Sequence, residues 1–240
     1  MSLTATPDGV LLVDKAAGMT SHDVVALVRR QLGIRKIGHC GTLDPIATGL
    51  LLLTIGRGTK IQDLLMSEDK EYSGALSLGV TTSTQDAEGD TIDARPVPQL
   101  TGEQVRAAFE KFRGDFYQMP PMVSAIKQGG VPLYKLARQG KVVEREPRLV
   151  HVYRYNIDNI NLPQIDFTVS CSKGFYVRTY AHDIGEALGC GAHLKSLRRT
   201  KSGRFDVANA ISVEEIRNVA PVDIISRILS LPDVSRMRGA

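Results

Sequence analysis

No run of about 18 consecutive apolar residues occurs in this 240-residue chain, which excludes a helical membrane span. Its opening stretch, MSLTATPDGV, has neither the basic start nor the apolar core of a secretion signal, so the expected location is the cytoplasm. Cysteine is scarce. Cys40, Cys171 and Cys190 are odd in number and far apart, which argues against a disulfide framework and for a reducing compartment. The phosphate loop G-x-x-x-x-G-K-[ST] and the dinucleotide fingerprint G-x-G-x-x-G are both absent, and Gly56-Arg57-Gly58 is too short to replace them. His182, Cys190 and His193 do not have the spacing of a zinc site. No metal and no cofactor is expected.

What is present is an ordinary globular composition, 42% hydrophobic and 23% charged, with a net charge of +4 and a pI near 9.0. The modest basic excess fits a polyanionic partner without requiring one. Val10 to Val13 reads as a strand. TSHDVVALVRRQLG has helical spacing, with Ser21 expected as N-cap and Gly33 as the stop. GLLLLTIG reads as a buried strand or the passage into one, and EYSGALSLG alternates as a second. Thr101 with Gln104, and Ser212 with Glu215, have capping-box spacing and predict two helices. LVHVYRYNIDNI and QIDFTVSCS are strand-like, and YVRTYAHDIGEALG is an amphipathic helix. Residues 80–100 are polar, with glycine and prolines, and are expected as a surface excursion. Strands in adjacent pairs among irregularly placed helices predict an α+β fold on a mixed, largely antiparallel central sheet with flanking helices.

Asp44 is the first candidate for chemistry. Asp followed by Pro is a good helix start, and that reading competes with a functional one. Against it, Gly49 follows almost at once, leaving little helix to cap. Pro45 restricts Asp44 to extended backbone angles, and Gly41, Thr42, Ala47 and Thr48 leave room for a ligand to approach. A carboxylate so placed suits a nucleophile or general base. Tyr176 and Arg178 straddle Val177 beside a Lys173-Gly174 turn, putting an aromatic face and a guanidinium at one sheet edge; a surface salt bridge would explain Arg178 equally. Tyr72 opens a strand, as a core, rim or catalytic residue. Cations cluster as Arg29, Arg30, Arg35 and Lys36, and as Lys195, Arg198, Arg199, Lys201 and Arg204. The second cluster holds five positive charges and no acid in ten residues, the pattern of a phosphate-facing stripe.

In order and register, six segments resemble the TruB family of RNA pseudouridine synthases. They are GVLLVDKAAGMTSHDVV, GHCGTLDPIATGLLLLTIGRGTK, KEY, QMPPMVSAIKQGGVPLYKLARQG, CSKGFYVRTYAHDIG and LKSLRRTKSG, from about residue 9 to 203. The resemblance implies the pseudouridine synthase fold with a basic active-site cleft, and isomerisation of uridine 55 in the tRNA T-loop. It implies that Asp44 is the catalytic aspartate, Arg178 the arginine that pairs with it, and Tyr72 the tyrosine lying against the target base. His39 matches the histidine that reaches into the RNA when the nucleotide leaves its stack. Lys15 falls in a motif near the cleft, and Tyr176 and Leu197 at positions lining the uracil pocket. Arg198 and Arg199 are expected to bind substrate. The family's D-K-P reads Asp14-Lys15-Ala16 here, which loosens a turn.

The implied partner is the T-stem-loop of tRNA, met by a monomer with no protein partner. Residues 1–210 are expected to form the catalytic domain, and 211–240 a short helical extension without a full C-terminal RNA-binding domain. Asp44 would act as nucleophile or as the base that removes the C2′ proton, and the sequence does not choose. A tRNA-folding chaperone of the same fold is the alternative, and an aspartate-dependent hydrolase is a poorer one, because no second carboxylate accompanies Asp44 nearby.

Overall fold

The computed structural model describes residues 7–122, 124, 127–128, 130–132 and 143–239. Much of the QMPPMVSAIKQGGVPLYKLARQG segment lies outside the described residues. In chain order the elements are β1 (Gly9–Lys15), α1 (Ser21–Leu32), β2 (Ile37–Cys40), β3 (Thr48–Ile55), α2 (Gln62–Met66) and β4 (Lys70–Leu78). The chain continues with β5 (Val80–Thr82), β6 (Thr91–Ala94), α3 (Gly102–Glu110), β7 (Gly114–Gln118), β8 (Lys127–Gln128) and β9 (Val131–Pro132). Then come β10 (Arg148–Asn161), β11 (Gln164–Cys171), α4 (Val177–Ala187), β12 (Ala192–Ser202), β13 (Phe205–Asp206) and β14 (Ile211–Ser212). The last elements are α5 (Val213–Asn218), α6 (Pro221–Ser226), β15 (Leu229–Ser230) and α7 (Leu231–Arg238). They form two compact units, Met1–Tyr72 with Arg198–Ala240, and Ser73–Leu197. Two strands, β4 and β12, begin in one unit and end in the other.

In the first unit β3 is the central strand, which is why its sequence is apolar without alternation. All of Gly49–Ile55 is buried. β1 runs antiparallel along one edge of β3, from Gly9 opposite Ile55 to Lys15 opposite Gly49. The other edge is shared: β2 pairs antiparallel from Ile37 to Cys40, and β12 pairs parallel at Arg198 and Arg199. The C-terminal segment covers the outer edge of β1 with β14, parallel, and β15, antiparallel. That segment therefore supplies strands as well as helices to this unit.

Helix α1 buries Val24, Val25, Leu27, Val28 and Leu32 and stops at Gly33, with φ of +66°. Its N-cap is Thr20, not Ser21. Thr20 and Asp23 form a reciprocal capping box, while Ser21 is the first helical residue and its hydroxyl bonds elsewhere.

The second unit orders its strands β12-β4-β11-β10-β7. β10 and β11 form a long antiparallel pair with two irregularities in register. Phe109 of α3, Phe167 of β11 and Tyr180 of α4 pack edge to face, with ring centroids 5.8–5.9 Å apart. The expected capping box of Thr101 and Gln104 starts α3, and that of Ser212 and Glu215 starts α5 in the first unit. The sheet is mixed and largely antiparallel, as the strand pattern predicts. Most of the 80–100 stretch is exposed, with one addition the sequence did not show. β5 and β6 pair as a small hairpin, and Thr81, Thr82 and Asp86 are buried. Polar composition concealed this, because the buried groups satisfy one another: Thr82 Oγ1 donates to the Asp86 carbonyl at 2.6 Å.

Candidate active site

β2 delivers the chain to Gly41, and β3 takes it up again at Thr48. Between them Asp44 opens a β-turn in which the Ala47 N–H donates to the Asp44 carbonyl at 3.0 Å, with Pro45 at the second position. No helix follows, so the capping reading of Asp44 fails. Asp44 is half-buried.

The turn is braced through its backbone. Arg199 Nη2 donates to the Gly41 carbonyl at 3.1 Å, and its Nε to Leu50 O at 2.7 Å, which ties the two ends of the loop together. Ser21 Oγ accepts from Leu43 N at 2.9 Å and donates to Leu43 O at 3.2 Å. The Pro45 carbonyl accepts from Gly18 N at 2.9 Å and Lys15 Nζ at 3.3 Å. Lys15 Nζ also donates to Ala16 O at 2.9 Å and Met19 O at 2.6 Å.

Lys15 is 0% exposed and Arg199 1%. Both were expected among the substrate-binding residues. The structure buries them and bonds them to backbone carbonyls beside the Asp44 turn. The expected phosphate-facing stripe is also broken up, because β12 alternates its side chains with period two. Arg198 forms a bidentate pair with Asp14, at 2.9 and 2.7 Å. Lys201 lies 3.3 Å from Glu71, and Lys195 donates to Gln164 at 2.7 Å.

His39, on β2, packs edge-on against His22 with centroids 5.1 Å apart. Burial, then repulsion by His22 and Arg199, pulls its imidazole down to about 4, so it is neutral at pH 7. Burial pushes the neighbouring Cys40 thiol up to about 12, which leaves it protonated and unreactive. Tyr72, on β4, is buried in the same unit.

Arg178, Tyr176 and Leu197 belong to the second unit. Gln118 holds the Tyr176 backbone from both sides: Tyr176 N donates to its Oε1 at 2.8 Å, and its Nε2 donates to Tyr176 O at 3.0 Å. Tyr176 caps α4, which sets Arg178 in the first turn, 5% exposed. Arg178 Nη1 donates to Thr84 O at 3.1 Å, and its Nε lies 3.8 Å from Asp86 Oδ2. Asp86 is 3% exposed and accepts from Thr84 Oγ1 and from Glu88 N. Thr179 Oγ1 donates to Gln85 Oε1 at 2.9 Å, so the turn of the β5–β6 hairpin grips the start of α4. Leu197 is buried on β12, where Gly74 passes it without a side chain; a Cβ there would meet Ser196 O at 2.8 Å.

Residues 29–177 match the family model described as TruB family pseudouridylate synthase, N-terminal domain. The chain belongs to the TruB family. Residues 178–223 match a second model, the tRNA pseudouridylate synthase B C-terminal domain. Among curated relatives, tRNA pseudouridine synthase B of Opitutus terrae is 53% identical over 222 residues, 92% of each chain. The protein of that name from Geobacter sulfurreducens is 49% identical over 94% of this chain and 74% of its own. Of solved structures, a chain from a Cbf5-Nop10-Gar1 complex superposes with a TM-score of 0.74 at 27% identity, over 95% of this chain. One from an H/ACA RNP bound to a substrate RNA containing 2′-deoxyuridine gives 0.65 at 27% identity, over 86% of this chain. This chain spans 62% and 51% of the lengths of those two.

Sequence reasoning missed Asp86 and Gln118 in this TruB-family chain. Asp86 sits in a stretch whose polarity reads as solvent-facing, and Gln118 ends a short strand with no distinguishing pattern. Ser21 was noticed, but for the wrong bond.

Proposed function

We propose that this chain isomerises uridine 55 in the T-loop of tRNA to pseudouridine. The reading is carried by the Asp44 turn, a carboxylate-bearing loop braced at Gly41, Leu43 and Pro45 through backbone atoms, in a chain of the TruB family. The reaction breaks the N1–C1′ bond, turns the uracil and joins C5 to C1′. Atoms and oxidation state are conserved, so the chemistry calls for no redox group.

Inside a folded loop the uridine is stacked, and extracting it costs a few kcal/mol. Tyr72, stacked on the extruded base, would return about 1–3 kcal/mol of this. His39 fills the space the base leaves, as a neutral ring that carries no charge into the stack. Asp44 acts on the sugar, as nucleophile at C1′ or as the base that takes the C2′ proton. Arg178 is the cation that supports the Asp44 carboxylate, itself set by Asp86 and the Thr84 carbonyl. Tyr176 and Leu197 line the uracil site, and Tyr72 assists loss of the C5 proton. Lys15 and Arg199 are positioning residues of the Asp44 turn. Arg198 meets RNA only in exchange for its Asp14 partner. The protein works as a cytoplasmic monomer on tRNA. Residues 1–210 carry the catalysis, and 211–240 act as an extension that closes the edge of β1.

Unmodified tRNA incubated with wild-type protein and with Asp44→Asn tests the reading, with pseudouridine counted at the T-loop and RNA binding recorded in parallel. Product from wild type alone, with binding kept by both, is expected. Tight binding without product from either would favour a tRNA-folding chaperone instead.

A further inference from the structure

The cations of the first basic cluster have no part in the site described above. From Val24 to Leu43 the chain carries Arg29, Arg30, Arg35 and Lys36 and no acid. α1 ends at Gly33 in the left-handed conformation, which turns the chain back so that Arg35 returns beside the last turn of the helix. Arg29, Arg30 and Arg35, with Gly33 and Ile34, line an open depression of about 540 Å³. All three arginines are exposed, and Ile34 is buried.

Cations at a helix C-terminus have an ordinary role, since the free carbonyls there amount to about half a negative charge. Arg29 partly fits it, donating to the Ile37 carbonyl at 2.6 Å. The helix end does not account for three. Arg30 and Arg35 make no hydrogen bond or ion pair with any described residue. The nearby acid Asp8 is already occupied: it accepts from Arg57 N at 2.6 Å and pairs with Arg57 Nε at 2.5 Å, and Lys36 also faces it. The depression thus keeps a surplus of about two positive charges after the helix end is compensated.

The place of this surplus is fixed relative to the Asp44 turn, because both lie in the first unit. Ser21, at the start of α1, is bonded to Leu43, next to Asp44. The depression lies at the other end of the same 12-residue helix, about 18 Å away at a rise of 1.5 Å per residue. One strand of a nucleic acid covers that length in about five nucleotide steps.

We propose that this depression is a second RNA contact, taking backbone phosphates of a double-stranded stem of the substrate about 18 Å from the nucleotide presented to Asp44. The proposal rests on the tRNA reading above and adds a site to it. Guanidinium forks match phosphate oxygens in pairs. A shallow, open depression suits a polymer's backbone better than an enclosed small ligand, which would leave most of its surface in water.

The test is Arg30→Gln with Arg35→Gln, measured with full-length unmodified tRNA across a salt series. The expected result is a rise of about tenfold in Kd and KM, a kcat within about twofold of wild type, and a salt-dependence slope shallower by about two. Arg30→Lys with Arg35→Lys should keep the slope. An unchanged Kd and slope would overturn the proposal, and a lowered melting midpoint alongside them would assign the arginines to the helix end alone. Competition of tRNA binding by submillimolar inorganic phosphate, with the same loss in the variant, would also overturn it in favour of a small-anion site. Failure of wild type to form pseudouridine, with the slope difference intact, would strike the functional reading and leave the RNA contact standing.

Discussion

Replacing Lys15 by Met removes a buried ammonium while nearly keeping its length, and the structure sets what should follow. The lysine is 0% exposed and donates to three carbonyls, at 2.6, 2.9 and 3.3 Å. Hydrogen bonds from a charged donor contribute about 1.5–3 kcal/mol each, and the 3.3 Å bond is the weakest, so about 5 kcal/mol is lost. Methionine escapes the desolvation of a buried ammonium, which offsets about 3 kcal/mol of that. The net cost is about 2 kcal/mol, or about 4–8 °C in the melting midpoint for a chain of this size. Catalysis should suffer more than stability. Pro45 O loses one of its two donors, and a misplacement of about 1 Å at the neighbouring Asp44 is worth about a hundredfold in rate. Thermal unfolding followed by circular dichroism, with pseudouridine counting well below the midpoint, reads both effects. A variant that melts within 2 °C of wild type and keeps kcat within about twofold would refute the bracing argument. A lower midpoint with kcat intact would confine Lys15 to stability.

Gly49→Ala puts a Cβ 2.3 Å from the Arg199 carbonyl on a backbone with φ of +96°, so it should part β3 from β12 and lower the midpoint by more than about 10 °C or abolish soluble expression. Asp86→Asn removes the buried carboxylate 3.8 Å from Arg178 Nε and should lower kcat at least tenfold with tRNA affinity little changed; a normal kcat would mean the guanidinium is set without the Asp86 charge. Two groups should tilt the pH dependence of stability in opposite directions. Folded His39, pulled down to about 4, binds fewer protons than the unfolded chain between pH 4 and 6.5, so stability rises with pH there, and His39→Asn should flatten that rise. Burial pushes Asp183 up to about 6, so the folded chain holds a proton that the unfolded chain releases above about 3.8; stability falls as pH climbs to 6, and Asp183→Asn should remove the fall. Melting midpoints at half-unit pH steps separate the two.

What the sequence made legible follows from short-range physics. The apolar run Gly49–Ile55 reads most simply as a buried strand, and the capping boxes of Thr101 with Gln104 and Ser212 with Glu215 need only a four-residue window. Arg198 and Arg199 show where such reasoning ends. Their adjacency reads as one patch, but a strand sends neighbours to opposite faces, so one pairs with Asp14 and the other enters the core. The burial of Lys15 and Asp86 was illegible for a related reason. A buried charge is identified by its partners, and those lie as far off in sequence as Pro45 and Arg178.

The bracing of the Asp44 turn uses cations where neutral donors could have served, and this has an electrostatic consequence. Arg199 spans from Gly41 to Leu50, a reach that a hydroxyl or an amide lacks, and so closes the loop with one side chain. Burying that charge on carbonyl dipoles, with no carboxylate of a described residue within 4 Å, leaves its field uncancelled. The field is felt at His39, where repulsion from Arg199 is one of the forces against a second proton. A field of that sign opposes an imidazolium and favours a carboxylate, the opposite states that the two side chains must keep if the ring is to enter a base stack while the acid attacks the sugar. Bracing through carbonyls thus does more than hold the loop. The Arg199 charge adds to the burial that keeps the His39 imidazole neutral, while its donors are spent on carbonyls of the loop.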